Sequence, residues 1–415
     1  MSLPNIRVYI KPDAAFKASG NGILGTSLLG AGFLLGPPSA AFVELTPITA
    51  VSIRRGRTRA TDSFDAGAAT ATFVDTTGTF NPDNTSSILY VGGVSYIKPL
   101  RQFKITTVIG GAEYSLFNGY VNDYKYEYSQ GVNAVQVTIS AVDPFRVLSL
   151  GNVETIAGAT YNELSSARIS KILNQASIPT GVQNILTGDS YVTDDPANLR
   201  SGLEAVQQVE HTEMGAFFVD RNGKFTFYGR KYLQQLAAGY AKTPLVFNET
   251  SGLAFEAITQ TFDDENITND ITINGPDILE VQKTDATSIL DYSSRSTVLS
   301  GLLLVTDAEA ENLANYLLSS RKDPQLVISG IEVSPMSLSD ANLLSVVVCD
   351  LLDPITLTKK YSGSAIDLTR TLTIQGIDHD IRPGSWSLKF GLAEPVGGDA
   401  LVLDYGKLDV NTLGY

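Results

Sequence analysis

The sequence predicts a mainly β protein in which two strand-rich halves flank an α+β insert, and three observations carry that prediction. Apolar and polar side chains alternate with period two through the first third of the chain. After Leu150 the apolar spacing turns helical and then runs into a hairpin signal. From about Thr243 the period-two runs return. At 415 residues the chain is long enough for two or three domains, each with its own core. Its 43% apolar and 18% charged content is a globular balance.

Residues 6–10 read as the opening strand, with 48–53 and 69–74 next. Residues 103–108 lead into Gly110-Gly111, a tight hairpin signal, and 114–120 and 135–140 complete the set. Strands this short, set apart by Gly, Asn and Asp clusters, suggest an antiparallel barrel or sandwich. Residues 162–175 then place Leu164, Ala167, Ile169, Ile172 and Leu173 at helical spacing, and Pro179 ends the run because proline cannot continue the ladder. A second helix is expected over about 196–210, with Leu199, Leu203, Val206 and Val209 on one stripe. Asn222-Gly223 between apolar runs predicts a hairpin turn with both central residues at positive φ. Residues 255–258 and 269–274 are extended, and Thr306 with Glu309 forms a capping-box pattern opening a helix to Ser320. Residues 326–333, 346–348, 355–358, 372–374 and 386–390 follow as strands.

The net charge of −14 argues against broad nucleic-acid affinity, which needs many cations on phosphates, and suits a surface past which DNA must slide. The single cysteine, Cys349, excludes an intramolecular disulfide and a cysteine zinc cluster. Residues 22–36 are the most apolar run. Five glycines and fewer than the ~20 residues of a span argue against a membrane helix, and the run lies too far in for a signal peptide. It reads as a glycine-rich loop or hairpin whose leucines pack on a neighbour, with membrane contact as the alternative; Leu28, Leu29 and Phe33 are its contact candidates.

Chemistry is scarce. His379 lies in Asp378-His379-Asp380, but neighbours in a strand face opposite sides, so a surface turn is the expectation. His211, near a helix end between Glu210 and Glu213, reads as a satisfied structural histidine. Asp194-Asp195 and Asp263-Asp264-Glu265 lack calcium-loop spacing and read as solvated turns. Tyr120, Tyr124, Tyr126 and Tyr128 form a same-face ladder, either cross-strand packing or a carbohydrate or protein contact face. No Walker, HExxH or dinucleotide pattern occurs, so no catalytic, cofactor-binding or metal-ligating residue is assigned, and the chain is read as no enzyme. The sharpest feature is Arg54-Arg55-Gly56-Arg57-Thr58-Arg59. If extended, it puts Arg55, Arg57 and Arg59 on one face and Arg54 on the other. Guanidinium forks there suit carboxylates on another subunit, with phosphate contact as the alternative.

Taken in order, several segments resemble the minor tail proteins that form the tail hub of long-tailed bacteriophages. These are the arginine strand from Ile53, the run Phe64-Asp65-Ala66-Gly67-Ala68-Ala69, Phe80-Asn81-Pro82, Phe117-Asn118-Gly119-Tyr120-Val121, Ala141-Val142-Asp143-Pro144-Phe145, and the stretch from Ile377 to Trp386. The resemblance implies two tail-tube-like antiparallel β-barrels flanking a helix-helix-hairpin domain. The expected division is 1–150 with a glycine-rich loop at 20–38, 151–242, 243–397, and a tail at 398–415. It implies a homotrimer at the virion tail tip, made in the host cytoplasm. That hub would close the tail tube and adapt sixfold symmetry to a threefold fibre or spike. Implied partners are the distal tail or tube protein, the tape measure protein, the central fibre or spike, and genomic DNA in transit, without stable membrane anchoring. The apolar stretch before Pro37-Pro38 departs from the family pattern. A distal tail ring or carbohydrate-binding baseplate protein is the alternative, and a tail-borne cell-wall hydrolase a further one.

Overall fold

The computed structural model describes residues 5–14, 41–57, 62–91, 93–128, 133–249, 252–262, 267–324, 326–360, 363, 367–394, 400–401 and 412–413. The first half holds β1 (Ile6–Ala14), β2 (Val43–Leu45), β3 (Ile48–Gly56), β4 (Asp65–Asp75), β5 (Arg101–Ile109), β6 (Ala112–Tyr128) and β7 (Val135–Val142). Period two decides what each strand buries: Val51, Ile53, Ala69, Ala71, Phe73, Val137 and Ile139 point inward, while Ser52, Arg54, Ala68 and Thr70 face solvent. Gly110 and Gly111 both take positive φ, as the β5–β6 turn requires. β6 runs well past the expected 114–120, because its residues 123–128 continue to pair with β7.

The middle of the chain builds α1 (Phe145–Leu150), α2 (Ser165–Gln175), α3 (Gly202–Glu213), the hairpin β8 (Ala216–Val219) and β9 (Phe225–Tyr228), and α4 (Arg230–Ala237). Phe145, Phe217 and Phe225 stack within 5.3–6.3 Å and centre its core. The second helix starts later than its apolar stripe predicted. Ser201 Oγ accepts from Glu204 N at 3.1 Å and Glu204 returns to Ser201 N at 2.7 Å, a capping box that fixes the start. Arg200 and Ser201 pair instead with Val153 and Asn152, which leaves Leu199 off the helix and 72% exposed. The hairpin forms as expected but its turn differs. Only Gly223 has positive φ, and Gly223 N bonds Asp220 O while the Asp220 carboxylate accepts from Asn222 N and Lys224 N. That is a longer, aspartate-braced loop in which one left-handed residue suffices.

The last part comprises β10 (Leu245–Asn248), β11 (Ala257–Phe262), β12 (Asp270–Gly275), β13 (Ile278–Thr284), β14 (Ser296–Leu299), α5 (Asp307–Arg321), β15 (Leu326–Val333), α6 (Asp340–Val347), β16 (Pro354–Lys359), β17 (Leu368–Arg382) and β18 (Ser385–Ala393). α5 opens with the Thr306–Glu309 capping box that the spacing predicts. It covers the small sheet β13–β12–β14 through Ile271, Ile273, Leu313 and Leu317. Residues 346–348 are not a strand: 340–347 are helical, capped by Ser339. Val346 and Val347 are buried in different apolar clusters, so tertiary packing overrides β-branched preference.

The two strand-rich halves share one thirteen-stranded sheet, in the order β11-β15-β18-β17-β3-β4-β7-β6-β5-β1-β2, with β16 and β10 branching from the start of β17. The join is antiparallel pairing of Val51–Gly56 of β3 with Ile381–Gly376 of β17. Beside it, Gly56, Gly376, Gly391 and Gly330 are successive partners across four strands, with register shifts next to Gly56 and Gly376. Bulges and missing side chains together crease a sheet. Gly56 has φ +115°, and a β-carbon there would lie 2.1 Å from Gln375 O. Gly56→Ala is therefore expected to lower stability by about 3 kcal/mol, from steric overlap plus backbone strain. Urea unfolding monitored by circular dichroism checks this, and an unchanged midpoint would refute it.

Candidate functional site

Because β3 is central, every second residue of it is removed from water, and one of those is Arg55. Its side chain is 4% exposed, its Nη2 lies 2.8 Å from Asp350 Oδ1, and its Nη1 donates to Val219 O at 3.4 Å. Asp350 Oδ2 in turn accepts from Arg221 N at 2.9 Å, and Arg221 Nη1 donates to Val347 O at 3.2 Å. β3, the β8–β9 loop and the segment after α6 thus meet at one ion pair. The sequence expectation put the carboxylate partner on another subunit; Asp350 belongs to the same chain. Asp143, beside Arg55, accepts from Gly67 N at 2.6 Å and Phe145 N at 3.0 Å, while burial pushes its pKa up to about 7.

Among the described residues Arg57 meets only neutral groups directly. Its Nε donates to Gln375 Oε1 at 2.8 Å, its Nη1 to the Asp62 carbonyl at 2.7 Å, and its guanidinium lies 4.2 Å from the Phe64 ring centre. Burial lowers its pKa to about 10. Arg54 projects from the opposite, solvent face, as the alternation predicted. Arg59, Leu28, Leu29 and Phe33, the other interface candidates, lie outside the described residues, as does the run 22–36.

The outer face of the sheet is polar and built from short side chains. One cross-strand row reads Glu332, Lys389, Asp378, Arg54, Ala68, and the next reads Ser387, Asp380, Ser52, Thr70, Ser140, Asp123. Along these rows four carboxylates, those of Glu332, Asp378, Asp380 and Asp123, outnumber the cations Lys389 and Arg54. The face runs unbroken from β15 to β6, so both halves contribute to it.

The remaining sequence candidates serve packing. His379 sits mid-strand in β17, not in a surface turn: it is 6% exposed and its Nδ1 accepts from Trp386 Nε1 at 3.2 Å. Asp378 and Asp380 face the other way, so the carboxylate–histidine pair does not form. Burial, with a smaller contribution from Arg55, lowers the His379 pKa to about 3. His211 is in the last turn of α3 with Nε2 3.0 Å from Ser63 Oγ. Asp195 pairs with Arg200 and accepts from Ile156 N at 3.1 Å; Asp263, Asp264 and Glu265 lie outside the described residues. Cys349 is buried, its thiol pKa pushed up to about 12 by desolvation. The tyrosine ladder is broken by a bulge between Val121 and Asp123, which places Tyr120 on the face opposite Tyr124. Tyr124 and Tyr126 donate to Lys98 O and Phe80 O, and only Tyr128, 77% exposed, projects freely.

No protein-family model matches the sequence, and no curated protein matches it. Solved structures do. The 43 kDa tail protein of prophage MuSo2 from Shewanella oneidensis matches with TM-score 0.53 at 13% identity, over 94% of this chain and 98% of its own. The tail protein from Neisseria meningitidis MC58 matches with TM-score 0.56 at 12% identity, over 94% of this chain and 97% of its own. At such identities the likeness is one of fold, and it spans both halves together with the middle.

Two expectations follow from the buried groups. Arg55→Ala, which strands the Asp350 carboxylate, should cost about 3–5 kcal/mol. The double variant with Asp350→Ala should cost clearly less than the two single changes added, by about 2 kcal/mol in a urea-unfolding cycle; additive effects would deny the pairing. His379 binds its proton near pH 6.5 when unfolded but only near 3 when folded, so stability falls as pH drops through that window. Against wild type, His379→Asn should flatten that fall by up to about 1.4 kcal/mol per pH unit, and parallel profiles would contradict a buried neutral imidazole.

Proposed function

We propose that this chain is a structural tail hub protein of a bacteriophage: a homotrimer that closes the distal end of the tail tube and adapts its sixfold symmetry to a threefold fibre or spike. The observation that carries the reading is the single sheet through both halves, with its continuous polar face, in a chain that has the fold of two prophage tail proteins. On this reading residues 1–150 and 243–397 are two tube-like barrels, 151–242 the domain between them, and 398–415 a tail. In the first, β3-β4-β7-β6-β5-β1-β2 would curl so that β2, one short link from β3, comes back to the start. In the second, β11-β15-β18-β17-β16-β10 would do likewise, and Leu253 bridging to Phe247 of β10 supports it.

Three such chains supply six barrels. Within a chain the barrels are joined by β3–β17 pairing. Between chains the outer edges of β11 and of residues 122–128 in β6, which pair with no further strand among the described residues, would meet head to tail, the heterologous contact that closes rings. The polar face would then line the bore, and the excess of carboxylates along the two rows described suits passage of DNA without adhesion. Partners on this reading are the distal tail or tube protein, the tape measure protein, and the central fibre or spike, at the virion tail tip. A carbohydrate-binding role draws no support from the tyrosines, since two of their hydroxyls are engaged by backbone.

Mass photometry of the purified protein over a range of concentrations tests the proposal. A concentration-stable trimer is the expected outcome. A hexamer would reassign the chain to a distal tail ring, and a monomer that persists with the neighbouring tail proteins added would remove the hub reading.

A further inference from the structure

Next to Arg57 a cleft opens where the C-terminal ends of α3 and α5 approach α4 and β17. Two guanidiniums on its wall have no ion partner among the described residues. Among the described residues Arg57 is bonded to an amide and a carbonyl oxygen only. Arg321, at the end of α5, makes no side-chain hydrogen bond and no ion pair among the described residues, although burial already lowers its pKa. A guanidinium withdrawn from water without a matching anion is costly, and a planar two-oxygen anion is what its fork fits.

The acids nearby act only at a distance: Asp62 favours the charged form of both arginines and Glu210 that of Arg57, but neither carboxylate is bonded to a guanidinium among the described residues. Glu210 spends its oxygens on Phe217 N at 2.9 Å and Ser63 Oγ at 3.3 Å, and Glu394 lies 3.7 Å from Arg370. Their presence, with Asp62, does set a limit: three arginines, Arg230 being the third, facing three acids leave no excess of positive charge, so one added negative charge is tolerated better than two. One part of the wall is apolar, with Leu233 and Leu236 on α4 and Met214 and Leu352 beside them. We propose that this cleft binds a monocarboxylate carried on a short apolar body, with Arg321 as its principal cation. The carboxylate can come from a free small acid or from the C-terminal leucine-like residue of a protein; the chemistry is the same. The proposal stands whether or not the chain forms a trimer.

Isothermal titration calorimetry of the full chain tests it, with 4-methylpentanoate, an N-acetylated tripeptide ending in leucine, and inorganic phosphate as titrants. Both carboxylates should bind and phosphate should not. Arg321→Gln should weaken binding about tenfold or more, the loss of one charge-assisted pair, Arg321→Lys should fall between, and Arg382→Gln on the distant sheet face should change nothing. A free acid binding as tightly as the peptide identifies a small-molecule source, and a peptide about tenfold tighter identifies a protein terminus. No binding by either carboxylate, equal binding of phosphate, or affinity indifferent to Arg321→Gln overturns the proposal. In the unaltered protein, 4-methylpentanoate should also slow phenylglyoxal modification of Arg321 as read by mass spectrometry, and no protection there overturns it without recourse to a variant.

Discussion

A cation in the middle of a sheet is the constraint around which this molecule is arranged. Arg55 occupies an inward position of a central strand, where no water reaches it, so an anion had to be brought to it. That anion, Asp350, is 295 residues away in the chain. Holding it there recruits the β8–β9 loop as well, because Arg221 N and the Val219 carbonyl complete the set. The ion pair adds little net stability of its own after desolvation, but any arrangement that separates its members exposes a large penalty. It therefore acts as a geometric requirement: the halves and the insert must come together in one way.

The same alternation that buries Arg55 gives the sheet two unlike faces. Inward, Val51, Ile53, His379 and Ile381 join apolar clusters, and even the histidine stays neutral. Outward, serines, threonines and paired charges run across strands from both halves. A face this polar has no hydrophobic reason to be covered, which distinguishes it from a packing surface and fits a wall beside water.

Much of this was legible from periodicity. Strands whose neighbours alternate strictly were found with their faces, and so was the split between Arg54 and Arg55, because these depend on adjacent residues alone. The capping box at Thr306 is equally local. What escaped depends on partners distant in sequence. Leu199 fits a helical stripe, yet pairing of Arg200 with Val153 keeps it extended. Val346 and Val347 favour strands in isolation, yet each is claimed by a different core. The bulge after Val121, which splits the tyrosines, is a one-residue slip against β7 that no composition records. The arginine cluster was visible as a cluster, but its carboxylate could not be, since nothing near Asp350 in the sequence announces Arg55. Arg321, unpaired among the described residues, is similarly silent: its oddity is a missing contact, which no run of sequence displays.

The four glycines that cross β3, β17, β18 and β15 lie on one line, so the bend they permit has an axis. A plate scored along a line folds about that line and stays stiff in every other direction. In this chain the score crosses the seam between β3 and β17 instead of running along it, so the bend it permits sets the ends of these four strands against their remainder. A bend about such a line turns the strand ends of both halves together and leaves the halves in step.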